Sequence, residues 1–340
     1  MFKLTAAKPV LYALNFSRWK RAAVRLCFPD RRLSFVSQCP VGATELVCWG
    51  SASGFPAGTQ VIRLEDGFIR SVGLGADLIK PVSWVIDSKG IYYDATRPSQ
   101  LELLLEHHVF DEVLLGRAMR LQQQIVSVGL SKYNLTGHHW QRPVTKKPVL
   151  LVVGQVESDA SVRLGSPQCQ SNLELLRQVR EQYPEAYLVY KPHPDVVAGL
   201  RQAGAADKAP HTCADEVVTE VPILALFSQV DEVHVMTSLA GFEALLRGVP
   251  VVCHGLPFYA GWGLTTDRLS TPRRSRKLSL TELVAATLIL YPVYFDRQNK
   301  RCISPEEAID ELLHWRAQKP VSRWYMAFRR MVLRWIVGVR

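Results

Sequence analysis

Gly154-Gln155-Val156-Glu157-Ser158-Asp159-Ala160-Ser161 is a polar loop that directly follows the apolar run Val149 to Val153. A carboxylate held at a strand end can attack an anomeric carbon when nearby donors keep it ionised and aimed, which makes Asp159 the candidate nucleophile. The plainer alternative is that Asp159 or Ser161 caps a helix start. In Tyr190-Lys191-Pro192-His193-Pro194-Asp195 two prolines bracket one imidazole and restrict the loop around it. With Lys191, His193 can neutralise a phosphate or, as imidazolium, protonate a leaving phosphate oxygen; otherwise it is a solvated loop histidine. The stretch Met236 to Ala244 carries Thr237 and Ser238 to a strand-helix junction, where hydroxyls and unpaired N–H groups either bind phosphate or simply cap the helix. Glu243, further along, can reach a ribose hydroxyl or serve as an ordinary first-turn acid.

A second group lies in the first half of the chain. Leu64 to Gly75 holds Glu65, a candidate base for a hydroxyl, and Arg70, a candidate clamp for a carboxylate or phosphate. Its glycines fall at 67, 73 and 75, so the dinucleotide fingerprint is not met, and structural turn glycines are the alternative. Far downstream, Gly255 to Thr265 sets Tyr259 and Trp262 among small residues, either to stack on a base or sugar or to pack in the core. Arg273, Arg274, Arg276 and Lys277 read as a solvated basic loop.

These loops need elements to hold them. Apolar runs at Glu45 to Trp49, Gln60 to Leu64 and Ser83 to Ile86 predict strands of a first Rossmann-like lobe, closed by a helix from Ser99, with Glu102 completing a capping box, and a second helix over Asp111 to Val128. Ser131 to Lys147 loses all periodicity and reads as a linker. Beyond it, strands at Val149–Val153, Tyr187–Tyr190, Glu232–Met236 and Val249–Cys253 alternate with helices from Ser171, near Pro222 to Phe227, and over Leu239 to Leu246. Alternation of this kind predicts a parallel sheet, with ligands at the carboxyl ends of its strands. The expected architecture is α/β: residues 1–145 as one lobe, 146–318 as the other, a cleft between them, and a tail over 319–340.

Whole-chain properties fit this plan. The 340 residues suffice for two cores, and 41 Lys and Arg against 31 Asp and Glu give a charge of +10 that favours anionic partners. Seven cysteines without a CxxC pair suggest neither a disulfide framework nor zinc, and no Asp-x-Asp motif argues for a metal. No window approaches the ~20 apolar residues of a membrane span, no secretory signal is read, and no nucleic-acid module appears. In the tail, Trp324, Phe328, Met331, Trp335 and Val339 share one helical face while Arg323, Arg330 and Arg334 cluster opposite, the pattern of a helix lying on an anionic membrane surface; packing back on the protein is the alternative.

The strings LEDGFIRSVGLGADL, IYYDATRPSQLE, GQVESDASVRLG, YKPHPD, TSLAGFEALLRGVPVVCHGLPFYAGWGLT and LYPVYFDRQNKRCISPEEAI resemble the bacterial capsule polysaccharide biosynthesis proteins. These are retaining β-Kdo glycosyltransferases that build a Kdo linker on a lipid anchor, and the resemblance runs from Gln60 to Ala317. It implies a GT-B-like pair of Rossmann lobes, CMP-Kdo as donor with no further cofactor, and double displacement through an adduct on Asp159. It further implies that His193 and Lys191 contact the donor phosphate and that Thr237 and Ser238 hold CMP, in a site that also includes Gln155 and Ser161. Glu65 and Arg70 match the first-lobe motif. Members often carry two such modules in tandem, whereas one set of motifs is present here, so the acceptor is expected to be a lipid-linked or other glycan. The expected place is the cytoplasmic face of the bacterial inner membrane. A transferase using another CMP-activated acidic sugar, or a non-catalytic glycolipid-binding export protein, are the competing readings.

Overall fold

The computed structural model describes residues 10–73, 79–134, 137–208, 213–298 and 300–318. The expected tail helix over 319–340 lies outside them. Among the described residues thirteen strands form two sheets. The first sheet contains β1 (Val10–Leu14), β2 (Arg32–Val36), β3 (Glu45–Trp49), β4 (Gln60–Asp66) and β5 (Ser83–Asp87). The second contains β6 (Val149–Val153), β7 (Tyr187–Lys191), β8 (Glu216–Val217), β9 (Glu232–Val235), β10 (Val251–Cys253) and β11 (Thr266–Asp267). The chain then returns to the first sheet through β12 (Pro292–Phe295) and β13 (Cys302–Ile303).

The second sheet is parallel throughout, in the order β8-β7-β6-β9-β10-β11. All five residues of β6 are buried, as expected of a central strand covered on both faces. The order reverses between β6 and β9, and at such a switch point the outgoing loops diverge and leave a crevice at the carboxyl ends. Gln155 and Thr237 staple that crevice: the Gln155 amide donates to Thr237 Oγ1 at 3.0 Å and accepts the Thr237 N–H at 2.8 Å.

The first sheet runs β13-β12-β5-β4-β3-β1-β2 and departs from the expected lobe in two respects. It is mixed: β1, β2, β3 and β4 are parallel, but β4 pairs with β5 and β5 with β12 antiparallel. The reversal follows from the turn after Asp66, where Gly67 donates to Ser83 O at 2.9 Å and lies so close to the Ser83 side chain that a Cβ has no room. The sheet also takes β12 and β13 from beyond the expected boundary, so 146–318 is not one lobe; Phe295 packs edge-on against Trp84 at 5.6 Å inside the first core.

The expected linker is equally structural. Lys132 O accepts from Ser71, Tyr133 O accepts from Gly73, and the Asn134 amide donates to Ser71 O at 3.0 Å, all in the first lobe. From the other side, Glu243 accepts the Lys132 N–H at 2.6 Å. Beneath this strut Phe68 stacks against Phe258 at 4.7 Å and Tyr92 at 4.8 Å, so one aromatic seam joins the two lobes.

Ser99 caps the helix Gln100–His107 as expected, accepting from Glu102 N. The Glu102 carboxylate, however, turns to Arg273 at 2.7 Å and Arg274 at 2.9 Å. Arg274 is buried and also donates to Pro257 O and Ala260 O, so the run expected to be a solvated loop is a clamp. Removing one member of a buried ion pair leaves a charge uncompensated, at a cost of about 3–5 kcal/mol. Glu102→Ala is therefore expected to lower stability by that order in denaturant titration, whereas truncating Arg301, whose pair with Glu307 is exposed, leaves the midpoint unmoved.

Candidate active site

A cleft of about 770 Å³ opens between the carboxyl ends of β6, β7 and β9 on one side and those of β3 and β4 on the other. Of the candidate catalytic and ligand-binding residues named from the sequence, all line it except Tyr259 and Trp262.

On the second-lobe wall Asp159 precedes the helix Ala160–Gly165, but its side chain makes no capping bond. The carboxylate is half-exposed and lies 3.9 Å from the Arg201 guanidinium. Burial raises its pKa, opposed by the charges of Arg201 and Lys132. Ser161 lines the cleft one turn on. Lys191, at the end of β7, donates to Thr219 O at 2.7 Å, and burial lowers its pKa to about 8. Ser238 caps the helix Leu239–Leu245 by accepting from Ala240 N, the plainer of its two readings.

His193 differs from its imidazolium reading. Its Nδ1 accepts the Asp195 N–H at 3.1 Å, which leaves the ring proton on Nε2. Burial, with Lys132, Arg201 and Lys191 nearby, lowers its pKa to about 3. The ring is thus a neutral donor, and only a bound anion among those cations would restore its charge.

On the first-lobe wall Glu65 accepts from Asp66 N, and burial beside the Asp66 charge raises its pKa to about 7. A carboxyl so placed can take a proton from a hydroxyl near neutral pH. Arg70 is buried and spends its Nε on Asp66 at 2.6 Å and an Nη on Ser71 at 2.9 Å, so it faces the cleft as half of an ion pair.

Three expectations change. Tyr259 and Trp262 are fully buried: the Tyr259 hydroxyl donates to Ser238 O and the Trp262 indole donates to Phe258 O at 2.8 Å. Gly241 packs so closely on the Tyr259 ring that no side chain fits there. The aromatic loop therefore braces the junction at Ser238 and offers the cleft only Pro257 and Phe258. Glu243, expected at a ribose, is committed to Lys132 N. Gln155 is spent on Thr237.

Sequence reading also passed over Lys132, Arg201 and the aromatic pair Trp19 and Trp49, all of which line the cleft. Lys132 sat in a stretch taken for a linker. Burial works against its charge, but Tyr133 and Asp66 beside it more than offset this and hold its pKa above the ordinary value. Its charge acts on Glu65 of one wall and on Asp159 and His193 of the other.

A family model described as capsule polysaccharide biosynthesis protein matches residues 55–294, which contain both walls apart from the turn bearing Trp19 and Lys20 and the strand end at Trp49. The chain belongs to that family. Among its relatives, the capsule polysaccharide modification protein LipA of Neisseria meningitidis is 45% identical over 318 residues, 89% of this chain and 45% of LipA. The chain thus spans about half the length of that relative. The lipopolysaccharide-processing protein LpsZ of Rhizobium meliloti is 39% identical over 84% of this chain and 70% of its own. Two solved chains of Thermosulfurimonas dismutans KpsC match 90% of this family member. The beta Kdo 2,7 transferase is 43% identical with a TM-score of 0.76 over 99% of its length. The beta Kdo 2,4 transferase is 32% identical with a TM-score of 0.77 over 98%.

The raised pKa of Glu65 links to stability with a definite sign. Between its ordinary value near 4.5 and about 7, the folded chain holds a proton that the unfolded chain has released. Stability contributed by this group is therefore present at low pH and lost as pH rises through that window. Glu65→Gln is expected to flatten this loss and to raise the denaturation midpoint at pH 8 but not at pH 4, measured by denaturant titration across the range.

Proposed function

We propose that the chain is a retaining β-Kdo glycosyltransferase of GT-B-like architecture that moves Kdo from CMP-Kdo to a lipid-linked or glycan acceptor. The observation that carries this reading is Asp159, a carboxylate on the cleft wall, uncommitted to the helix it precedes, facing a first-lobe wall that bears Glu65. The likeness over nearly the whole length of two KpsC Kdo transferase chains supports the donor class.

In this mechanism Lys191, the Nε2–H of His193 and Lys132 receive the donor phosphate. Asp159 attacks C2 of the ulosonate, the bond to the phosphate oxygen breaks, and CMP leaves with the electron pair. An acceptor hydroxyl then displaces Asp159 from C2 while Glu65 takes its proton. Two inversions at C2 return the original configuration.

Asp159→Asn is expected to abolish transfer while CMP binding and fold persist, and wild-type protein given CMP-Kdo without acceptor is expected to gain the mass of one Kdo on Asp159. Full activity in the variant would refute the nucleophile. We also place the chain at the cytoplasmic face of the inner membrane through 319–340. Deleting Arg323 to Arg340 is expected to reduce sedimentation with anionic vesicles, and undiminished binding would count against that placement.

A further inference from the structure

Lys20 stands in a turn, Arg18–Lys20, just beyond β1 and on the first-lobe wall of the cleft. Its ammonium lies 3.0 Å from the Trp49 ring centroid and 5.4 Å from that of Trp19. Among the described residues its side chain has no hydrogen-bond acceptor and no ion pair within 4 Å; Asp66, whose charge acts on it from β4, is committed to Arg70. The ammonium is only partly withdrawn from water, and the indole face beneath it offsets part of that loss. Burial lowers its pKa to about 8, and the charges of Asp66 and Glu65 keep it from falling further.

The surroundings say what kind of acceptor would complete it. The Trp49 face carries the Lys20 ammonium, so of the two indoles Trp19 is the one placed to bury the CH face of a pyranose. Tyr93 and Glu65 lie on the same wall, and a Cβ added to Gly50 would touch both, at 3.3 and 3.4 Å. The charges of Lys20 and Glu65 act on each other, so an anionic substituent at Lys20 would stand near the carboxyl that takes the acceptor proton.

We infer that Trp19, Lys20 and Trp49 form the acceptor subsite, and that Lys20 selects an acceptor saccharide carrying an anionic group next to the hydroxyl to be glycosylated. This rests on the transferase reading above and adds the residue that chooses the acceptor.

The test uses the full chain, saturating CMP-Kdo and three acceptors: a glycoside bearing a free carboxylate, one bearing a phosphate monoester, and a neutral counterpart. Wild type is expected to prefer one of the acidic glycosides by about 10- to 100-fold in kcat/KM, the scale of a hydrogen bond to a charged group; which acid is better identifies the source of the anion. Lys20→Met is expected to erase that preference through acceptor KM, with affinity for CMP unchanged. Lys20→Arg retains the preference, and Trp19→Ala weakens all three acceptors alike, because stacking is blind to charge. Equal use of the three acceptors by wild type, or an equal loss on all three in Lys20→Met, would overturn the inference. If wild type does not turn over CMP-Kdo, the transferase reading fails on its own. Calorimetric binding of the acidic glycosides to wild type and Lys20→Met then still decides the role of Lys20, with equal affinities refuting it.

Discussion

Glu243 accepts the backbone N–H of Lys132 at 2.6 Å, and through this bond a helix of the second lobe holds a loop whose other bonds are to Ser71 and Gly73 of the first. The bond is made where water is scarce: the carboxylate is buried and its pKa is pushed up by that burial, although the N–H, Arg247 and Lys132 all pull it down. A charge in such a place is kept only where donors satisfy it. The arrangement fixes the spacing of the two walls, because the loop cannot follow one lobe without breaking its bonds to the other. It also sets the Lys132 ammonium in the cleft, where its field reaches the carboxylates of both walls.

Around that strut the cleft is electrostatically unfinished. Lys20, Lys132, Lys191 and Arg201 line it together with the acids Glu65, Asp159, Asp195, Glu220 and Glu243, while Asp66 is paired with Arg70. Partial burial shifts Lys191 down, Glu65 up and His193 to neutrality. All three shifts share one leading cause, the loss of water from a charge; an anionic ligand would supply a partner to Lys191 and His193, whereas Glu65 is held by the cations beside it.

The parallel sheet, its strand-helix alternation and the three loops at its carboxyl ends were legible because each depends on local pattern: β6 is an unbroken apolar run, and Ser171 and Ser238 are capping residues wherever they sit. Asp159, Glu65, Lys191 and His193 were found because polar residues at the end of a buried strand have few places to go but a rim. The first sheet was read less well. Val10–Leu14 and Arg32–Val36 were not singled out, although each is as long as β6, and Pro292–Phe295 joins that sheet by pairing with a strand two hundred residues earlier, which no local period reveals.

What the sequence by itself determined is the identity of the chemical groups and the strand ends that present them, since hydrophobic period, capping and proline restriction act over a few residues. Only the tertiary structure decided which groups face the cleft and in what state of charge. Tyr259 and Trp262 turned inward because the loop carrying them braces Ser238, and Arg274 was buried because Glu102, from a distant helix, neutralises it. Lys132 and Lys20 entered the cleft because partners far along the chain hold their backbones or flank their side chains. Burial and charge pairing are sums over neighbours brought together from distant parts of the chain, so a residue's type fixes what it can do and the fold fixes whether it does it.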